Sequence, residues 1–187
     1  MEGINIDMTP VKSGERYFYV WSHRKNIGTP LDTGSMLMIA EFDPVHPEQL
    51  ISEPKCLSRP LYGFENTEHT INNEGPYAFY YNNKIYLAYS GGDARGYLYA
   101  IGMLTANDGD DLCDLSVWEK AKTPIASFAT IPGEYGPGHN SFFWDRDQNL
   151  WIAYHAVTSF EEKIVSSGMR RVYFEQDKTP RFDVIVE

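Results

Sequence analysis

The chain has 187 residues, of which 42% are hydrophobic, and this is enough to bury a sizeable core in a single domain. Its formal net charge of −10 argues against a polyanionic partner such as nucleic acid. The sequence has neither an apolar run of about 18 residues nor an apolar N-terminal leader, so we expect no membrane partner and a cytoplasmic product, with a processed fragment equally open.

Short aromatic-rich runs that are typical of β-strands follow one another along the chain, and helical periodicity is nearly absent. Segments 6–23, 73–90 and 138–155 share one layout, which is a polar residue, a short strand, a polar turn and an aromatic strand. Further strand-like runs follow them at residues 35–42, 54–58, 97–105, 124–128, 169–175 and 181–186. A turn or two of helix is predicted only at 116–121. The chain therefore repeats one unit three times.

Four short strands in a unit of about 65 residues are typical of a β-propeller blade. We therefore predict an all-β fold, a β-propeller in one domain, with about three four-stranded blades near residues 1–59, 60–130 and 131–187. Blades stack around an axis and their innermost strands face a shared centre. Residues at the start of these strands then line one mouth of that centre.

The polar residues that open the three segments are Asp7, Glu74 and His139, and their spacing is nearly even. Glu74 stands directly before Gly75 and Pro76, so a rigid backbone holds it while its side chain can face a cavity, as a general acid requires. An exposed loop glutamate and a structural histidine are the ordinary alternatives for isolated residues. The repeated position is what favours a shared site.

Two other patterns suggest less specific chemistry. Residues 107–114 gather four aspartates, but they lack the spacing and the closing glutamate of a calcium-binding EF-hand loop, which favours a solvated turn with an aspartate cap. Cys56 and Cys113 stand in different units without zinc-ligand spacing, so free thiols are expected.

Several motifs together resemble a known family. They are Asn73-Glu74-Gly75-Pro76 with the tyrosine-rich hairpin that follows, residues 104–118, residues 135–156 with their Gly-Pro-Gly-His-Asn-Ser motif, and Ile6-Asp7 with its aromatic strand. The sequence resembles glycoside hydrolase family 43, in particular its α-L-arabinofuranosidase, arabinanase and β-xylosidase-like members. The resemblance covers nearly the whole chain and implies a five-bladed propeller that hydrolyses a glycosidic bond with inversion.

The resemblance also implies a role for each matching residue. Glu74 corresponds to the general acid, and Asp7 to the carboxylate that tunes the pKa of that acid and contacts the sugar. His139 corresponds to the axial residue that holds one central Ca2+ or another cation, often through waters. Our candidate substrate contacts are Trp21, Tyr77, Ser90, His139 and Arg171.

Inversion also needs a base carboxylate, and in the family it stands upstream of the segment that matches Asp7. The chain is therefore expected to be complete as an enzyme only if missing blades or another chain supply the base. The first hypothesis is an inverting glycosidase on arabinose- or xylose-containing plant polysaccharides. The alternatives are a non-catalytic carbohydrate-binding propeller and a purely structural one. Open blade faces are an aggregation liability, so we expect a homo-oligomer or another association that completes the propeller.

Overall fold

The computed structural model describes residues 2–159, 161 and 164–183. In chain order the strands are β1 (Ile4–Ser13), β2 (Arg16–Arg24), β3 (Met36–Phe42), β4 (Lys55–Ser58), β5 (Asn66–Thr67), β6 (Thr70–Ile71), β7 (Asn73–Tyr81), β8 (Lys84–Gly91), β9 (Ala100–Asn107), β10 (Glu119–Lys120), β11 (Tyr135–Trp144), β12 (Leu150–Val157), β13 (Val165–Arg171), β14 (Tyr173–Phe174) and β15 (Pro180–Arg181). Two single-turn 3-10 helices lie at Gly63–Glu65 and Leu115–Val117.

Three antiparallel sheets contain most of these strands. The first sheet has the order β1-β2-β3-β4, the second has β7-β8-β9-β10, and the third has β11-β12-β13. Strands β5 with β6 and β14 with β15 form two short ribbons. Strand β7 contacts both β1 and β11, so the first strands of the three sheets lie side by side. This arrangement gathers the entrances of β1, β7 and β11 in one place.

The sheets are held together by apolar side chains, and the middle strands β3, β8 and β9 are buried over almost their whole length. Between the first and second sheets lie Phe18, Val20, Leu37, Ile39, Ile85, Leu87, Tyr89 and Leu104. Between the second and third sheets lie Phe79, Tyr86, Ile101, Met103, Phe142, Ile152 and Tyr154. A separate cluster of Trp21, Met36, Met38 and Ala40 covers the other face of the first sheet. The described residues place no sheet against that face.

Turn chemistry explains the hairpin that joins β7 to β8. Asn82 and Asn83 both adopt positive φ, at 51° and 58°. Two consecutive left-handed residues make the turn whose twist matches that of the flanking strands, and asparagine tolerates this conformation. The polar turn predicted between the two strands of segment 73–90 lies at this asparagine pair.

Three predicted elements differ from the structure. Residues 124–128 do not form a strand but make a single bridge between Ala126 and Ile101, because Pro124 has no N–H and the chain turns away at Ser127. The outer strand of the second sheet is β10 instead. The helical turn predicted at 116–121 is the 3-10 helix Leu115–Val117, whose first N–H groups are capped by Asp114. Of the strand predicted at 181–186, residues 184–186 lie outside the described residues.

Both cysteines are free, as expected. Among the residues described, no helix is long and apolar enough to cross a membrane.

A buried ion pair fixes the loop that leads into β7. The Glu65 side chain is fully buried and accepts hydrogen bonds from the Leu61 and Tyr62 N–H groups and from the Tyr89 hydroxyl. Lys120 Nζ lies 2.5 Å from Glu65 Oε1, and burial lowers the pKa of this lysine. Since Lys120 belongs to β10, the pair ties the loop to the second sheet.

Replacing Lys120 with methionine should therefore destabilise the fold, because the buried Glu65 charge would lose its ammonium partner. Breaking a buried pair in this way costs about 3–5 kcal/mol. Urea unfolding followed by tryptophan fluorescence measures the effect. The matched control is Lys122→Met at an exposed position, where a change within about 0.5 kcal/mol is expected. Equal effects of the two substitutions would contradict the role assigned to the pair.

Candidate active site

The first strand of each sheet, β1, β7 or β11, is its inner strand, and each of these three strands carries a bulge near its entrance. The pairing with the second strand of the same sheet shifts after Ile6, after Glu74 and after Gly138. The first residue of each bulge has a left-handed backbone, with φ of 58° at Asp7, 56° at Gly75 and 50° at His139. This conformation is uncommon for residues other than glycine, and such strain is concentrated at functional sites.

The bulges correct the alignment of the three units by one residue. Asp7, Gly75 and His139 are structurally equivalent, whereas the sequence alignment placed Glu74 at the position of Gly75. The sequence alignment matched the polar side chains of the three segments, whereas the structure matches the residues that have a left-handed backbone. Glu74 therefore precedes the bulge and pairs with Ser90, as Ile6 pairs with Ser22.

Asp7, Glu74 and His139 nevertheless come together at one end of the sheets. Asp7 Oδ2 accepts a hydrogen bond of 3.2 Å from the backbone N–H of Gly75, the residue next to Glu74. On its other side, Asp7 Oδ1 lies 3.7 Å from His139 Nε2. The structure thus joins the three inner strands through the side chain of Asp7.

A chain of hydrogen bonds leads from the third sheet to Glu74. The His139 N–H donates to Ser90 Oγ at 2.7 Å, and the Ser90 hydroxyl hydrogen-bonds the Tyr99 oxygen. The Tyr99 hydroxyl in turn donates to Glu74 Oε1 at 2.7 Å. Burial, and then the charge of Glu74, raise the pKa of Tyr99 well above its usual value, so this hydroxyl stays a donor. Glu74 is therefore oriented through one oxygen and keeps the other for a ligand.

Tyr99 was missed by the sequence analysis. It lies just before β9, is fully buried, and stacks on the ring of His155 with centroids 5.5 Å apart. Nothing in its local sequence separates it from the other 12 of the chain's 13 tyrosines. Its role depends on a contact across the sheet, which local sequence does not encode.

The other candidate substrate contacts, Trp21, Tyr77, Ser90 and Arg171, do not lie together in the structure. Trp21 is 7% exposed, donates to Asn5 Oδ1 and lies on the outer face of the first sheet. Tyr77 is 37% exposed beside the third sheet, and Ser90 is fully buried. Arg171 stacks over Tyr173 and pairs with Trp151, so it lies at the far end of the third sheet from His139. The structure does not bring Arg171 or the Ser90 side chain to an open mouth, and the proposed sugar contacts remain predictions.

The two carboxylates open on neighbouring hollows. Asp7 lines a cavity of about 530 Å³ on the outer side of the first sheet, with Trp21 and Tyr19 in its wall. Glu74 lines a smaller cavity of about 170 Å³ together with Ser22 and Arg24. Ile6 belongs to both walls and separates them. The prediction that Asp7, Glu74 and His139 line one shared cavity is therefore wrong for these two cavities, because each contains one of the carboxylates and neither is lined by His139.

The residues near His139 do not form a calcium site by themselves. A hard cation such as Ca2+ takes six to eight oxygen ligands. In the part of the chain that the structure describes, no group of three or more His, Cys, Asp or Glu side chains could hold a metal ion. Asp7 and His139 alone supply one carboxylate and one imidazole. The expected cation does not fit this donor set.

Comparisons with known proteins agree with this architecture. The sequence profile described as glycosyl hydrolases family 43 matches residues 2–180. An extracellular exo-α-(1→5)-L-arabinofuranosidase of Streptomyces avermitilis is 28% identical over all of this chain and 39% of its own length. The enzyme of the same name from Streptomyces chartreusis is 32% identical over 83% of this chain and 45% of its own. The chain thus spans less than half of these curated relatives.

The solved structures give the same fold. The α-L-arabinofuranosidase of Lactobacillus brevis superposes with a TM-score of 0.82 at 28% identity, over 97% of this chain and 56% of that one. A thermostable family-43 glycoside hydrolase superposes with a TM-score of 0.77 over 97% of this chain and 58% of that one. The predicted all-β fold of propeller type is confirmed.

One expectation is overturned by the same relatives. Both Streptomyces proteins are named extracellular enzymes, which contradicts the cytoplasmic location expected from the sequence.

The serine contacts between sheets should contribute measurably to stability. Ser90→Ala would leave the His139 N–H without its acceptor in a buried position, at a cost of about 1–3 kcal/mol. Ser22→Ala should cost less, because the Gly75 N–H that donates to Ser22 Oγ at 3.2 Å also donates to Asp7 Oδ2 and keeps that acceptor. Urea unfolding compares both with Ser167→Ala, an exposed serine on β13. If all three variants were equally stable, the contacts between sheets would not have the strength assigned to them.

Proposed function

The chain belongs to family 43 of the glycosyl hydrolases, and on that premise we propose that it carries the acid side of an inverting glycosidase. Its substrates in this proposal are arabinose- or xylose-containing plant polysaccharides and the oligosaccharides made from them. The α-L-arabinofuranosyl linkage is the first candidate, because the curated relatives are named arabinofuranosidases. The observation that carries the proposal is the orientation of Glu74 by Tyr99, with the next residue, Gly75, hydrogen-bonded to the Asp7 carboxylate.

Glu74 is proposed as the general acid. Tyr99 holds Oε1, so Oε2 is the oxygen that presents a proton to the glycosidic oxygen of the leaving group. A hydrogen-bonded, half-buried carboxyl at a strand entrance has the fixed position that proton transfer requires. The Ser90 and Tyr99 hydroxyls orient the acid and do not touch the substrate.

Asp7 is proposed as the second carboxylate that acts on the sugar ring. The Gly75 N–H and the Ser22 hydroxyl both donate to its Oδ2. Glycoside hydrolysis passes through a transition state in which the ring resembles an oxocarbenium ion. A fixed negative charge beside the ring stabilises that positive charge. The tuning role implied by the family resemblance is kept in this proposal.

The base that activates water comes from outside this chain in the same proposal. Inverting enzymes keep their acid and base carboxyl groups about 6.5–9.5 Å apart, so that a water fits between them. Asp7 occupies the tuning position, so a further carboxylate is required. Association with a second set of sheets, from another copy or another chain, would supply it. A carbohydrate-binding role without turnover is the second candidate, and the same shortage of carboxylates favours it.

Glu74→Gln tests the acid. We expect hydrolysis of an arabino-oligosaccharide to be abolished, while an aryl arabinofuranoside with a good leaving group loses less activity because that group needs little protonation. Glu119→Gln, at an exposed position on β10, is the matched control and should leave both rates unchanged. Equal loss on the two substrates would assign Glu74 a role other than acid catalysis.

Azide tests for the missing base. General base assistance contributes about 10²–10⁴-fold, so the chain alone should turn over very slowly. Azide needs no deprotonation, and on an activated substrate it should raise the rate and give a glycosyl azide of inverted configuration, which NMR identifies. Full activity in a purified monomer without an azide response would show that a residue of this chain acts as base, with Asp7 as the first candidate. Sugar binding by calorimetry without either reaction would support the non-catalytic alternative.

A further inference from the structure

Arg24 shares a cavity with the proposed acid but has no part in the proposed proton transfer. It is the last residue of β2, lies opposite Ile4 on β1, and lines the 170 Å³ cavity of Glu74. Its side chain is 32% exposed, so part of the guanidinium can be reached from outside the chain. Hydrogen bonds to Asp32 and, more weakly, the charge of Glu74 raise the pKa of Arg24, so the guanidinium is charged.

Asp32 holds the guanidinium of Arg24 in one orientation. Arg24 Nε donates to Asp32 Oδ1 at 2.9 Å and Nη2 donates to Oδ2 at 2.7 Å, which is the two-bond geometry of an arginine–carboxylate pair. The same carboxylate accepts the N–H groups of Gly28 and Gly34, each at 3.0 Å. These four donors occupy both oxygens of Asp32, so Asp32 positions Arg24 and has no acceptor site left for a ligand.

Three of the five N–H groups of Arg24 remain for a ligand. Asp32 uses Nε and one hydrogen of Nη2, and among the residues that the structure describes nothing accepts from Nη1 or from the second hydrogen of Nη2. Sugar hydroxyls accept such hydrogen bonds, which are roughly twice as strong from a charged donor as from a neutral one. Because Asp32 compensates the charge of Arg24 and Glu74 adds a negative charge, a neutral sugar suits this cavity better than an anionic one.

The other walls of the cavity suit a single sugar ring. Ile4 and Ile6 are 48% exposed, Ile27 is 47% exposed, and all three line the cavity. Ligand sites typically combine apolar walls of this kind with a few polar groups, and the C–H face of a sugar ring packs against them. Pockets for drug-sized ligands measure about 300–1,000 Å³, so a cavity of about 170 Å³ has room for one ring.

The position of Glu74 identifies which ring this is. In the proposed reaction Glu74 protonates the glycosidic oxygen, which departs with the leaving-group sugar. Asp7, which acts on the ring of the sugar that is cleaved off, lies beyond Ile6 in the neighbouring cavity. The ring that shares a cavity with Glu74 is therefore the leaving-group sugar.

We propose that Arg24, held by Asp32, determines specificity for the leaving group by donating hydrogen bonds to the hydroxyls of a neutral leaving-group sugar. The proposal rests on the proposed function and adds the residue that recognises the second sugar. Loss of Arg24 then weakens binding of a ligand that has a leaving-group sugar, and it spares binding of a ligand that has none. A merely structural role of the Arg24–Asp32 pair would weaken the binding of both ligands alike.

Calorimetry with two ligands tests this contact. The ligands are α-(1→5)-L-arabinobiose, which has a leaving-group sugar, and methyl α-L-arabinofuranoside, which has none, and a Glu74→Gln background prevents cleavage. Arg24→Met should raise the dissociation constant of arabinobiose about 10- to 100-fold, as expected for lost hydrogen bonds to a charged group, and that of the methyl glycoside by less than about twofold. Arg146→Met, at an exposed position in the turn between β11 and β12, is the matched control and should bind both ligands like the parent chain.

Arg24→Lys decides the matter if circular dichroism shows that Arg24→Met does not fold. Lysine keeps a positive charge beside Asp32 but lacks the planar fork of arginine, so arabinobiose should again bind more weakly while the methyl glycoside does not. Three results overturn the proposal. They are equal losses of affinity for both ligands, unchanged binding of arabinobiose, and a parent chain that binds no arabinobiose.

The outcome of this calorimetry is independent of turnover. The azide-stimulated reaction of an aryl arabinofuranoside, measured on the wild-type chain, reports on the acid alone, because the aryl group has no sugar hydroxyls for Arg24 to bind. A wild-type chain without that reaction contradicts the proposed function, whereas the comparison of the two ligands judges Arg24. Failure of this inference is therefore distinguishable from failure of the proposed function.

Discussion

The left-handed bulge at the entrance of each inner strand is the constraint on which the rest of the structure depends. It turns one backbone N–H out of the local sheet and into contact with the preceding sheet, as at Gly75 and His139. In a regular strand that N–H would bond to the neighbouring strand of the same sheet or remain unpaired. The same turn of the backbone points the bulge side chain toward its neighbours, which is how Asp7 comes to contact both of the other inner strands. Sheet packing and site geometry thus have one local cause.

The repeat made the fold predictable from the sequence. Short aromatic-rich runs, polar turns between them and three similar segments all indicate short antiparallel strands that pack face to face. The one-residue error at Glu74 has a physical origin, because a bulge inserts an extra residue and shifts the alternation after it. Side-chain type alone does not locate such an insertion. A glycine followed by proline was the available sign in the sequence, and this glycine lies one residue after the carboxylate.

The site was only partly predictable, because the hydrogen bonds that orient Glu74 are contacts between sheets. Asp7, Glu74 and His139 could be brought together from repeat position, but the hydroxyls that orient Glu74 could not. In the sequence Ser90 is a polar residue at the end of a strand, where it could contact a ligand. In the structure it is buried and hydrogen-bonds both His139 and Tyr99. The sequence shows Arg171 only as a cation near a strand. The strand register places it at the end of the third sheet that lies away from His139. The position of a residue along its sheet depends on the register of strand pairing, and a single sequence does not determine that register.

The bulges also limit how many carboxylates three sheets bring to one mouth. Each inner strand brings one bulge residue to the mouth, and in this chain the three are Asp7, Gly75 and His139. Gly75 has no side chain, so the carboxylate of this strand comes from the preceding residue, Glu74, and an added Cβ at Gly75 would make only ordinary contacts of 3.5–3.6 Å with the His139 ring. Two carboxylates are then the most that this arrangement presents at the bulges. A third one at the same mouth therefore needs a further inner strand.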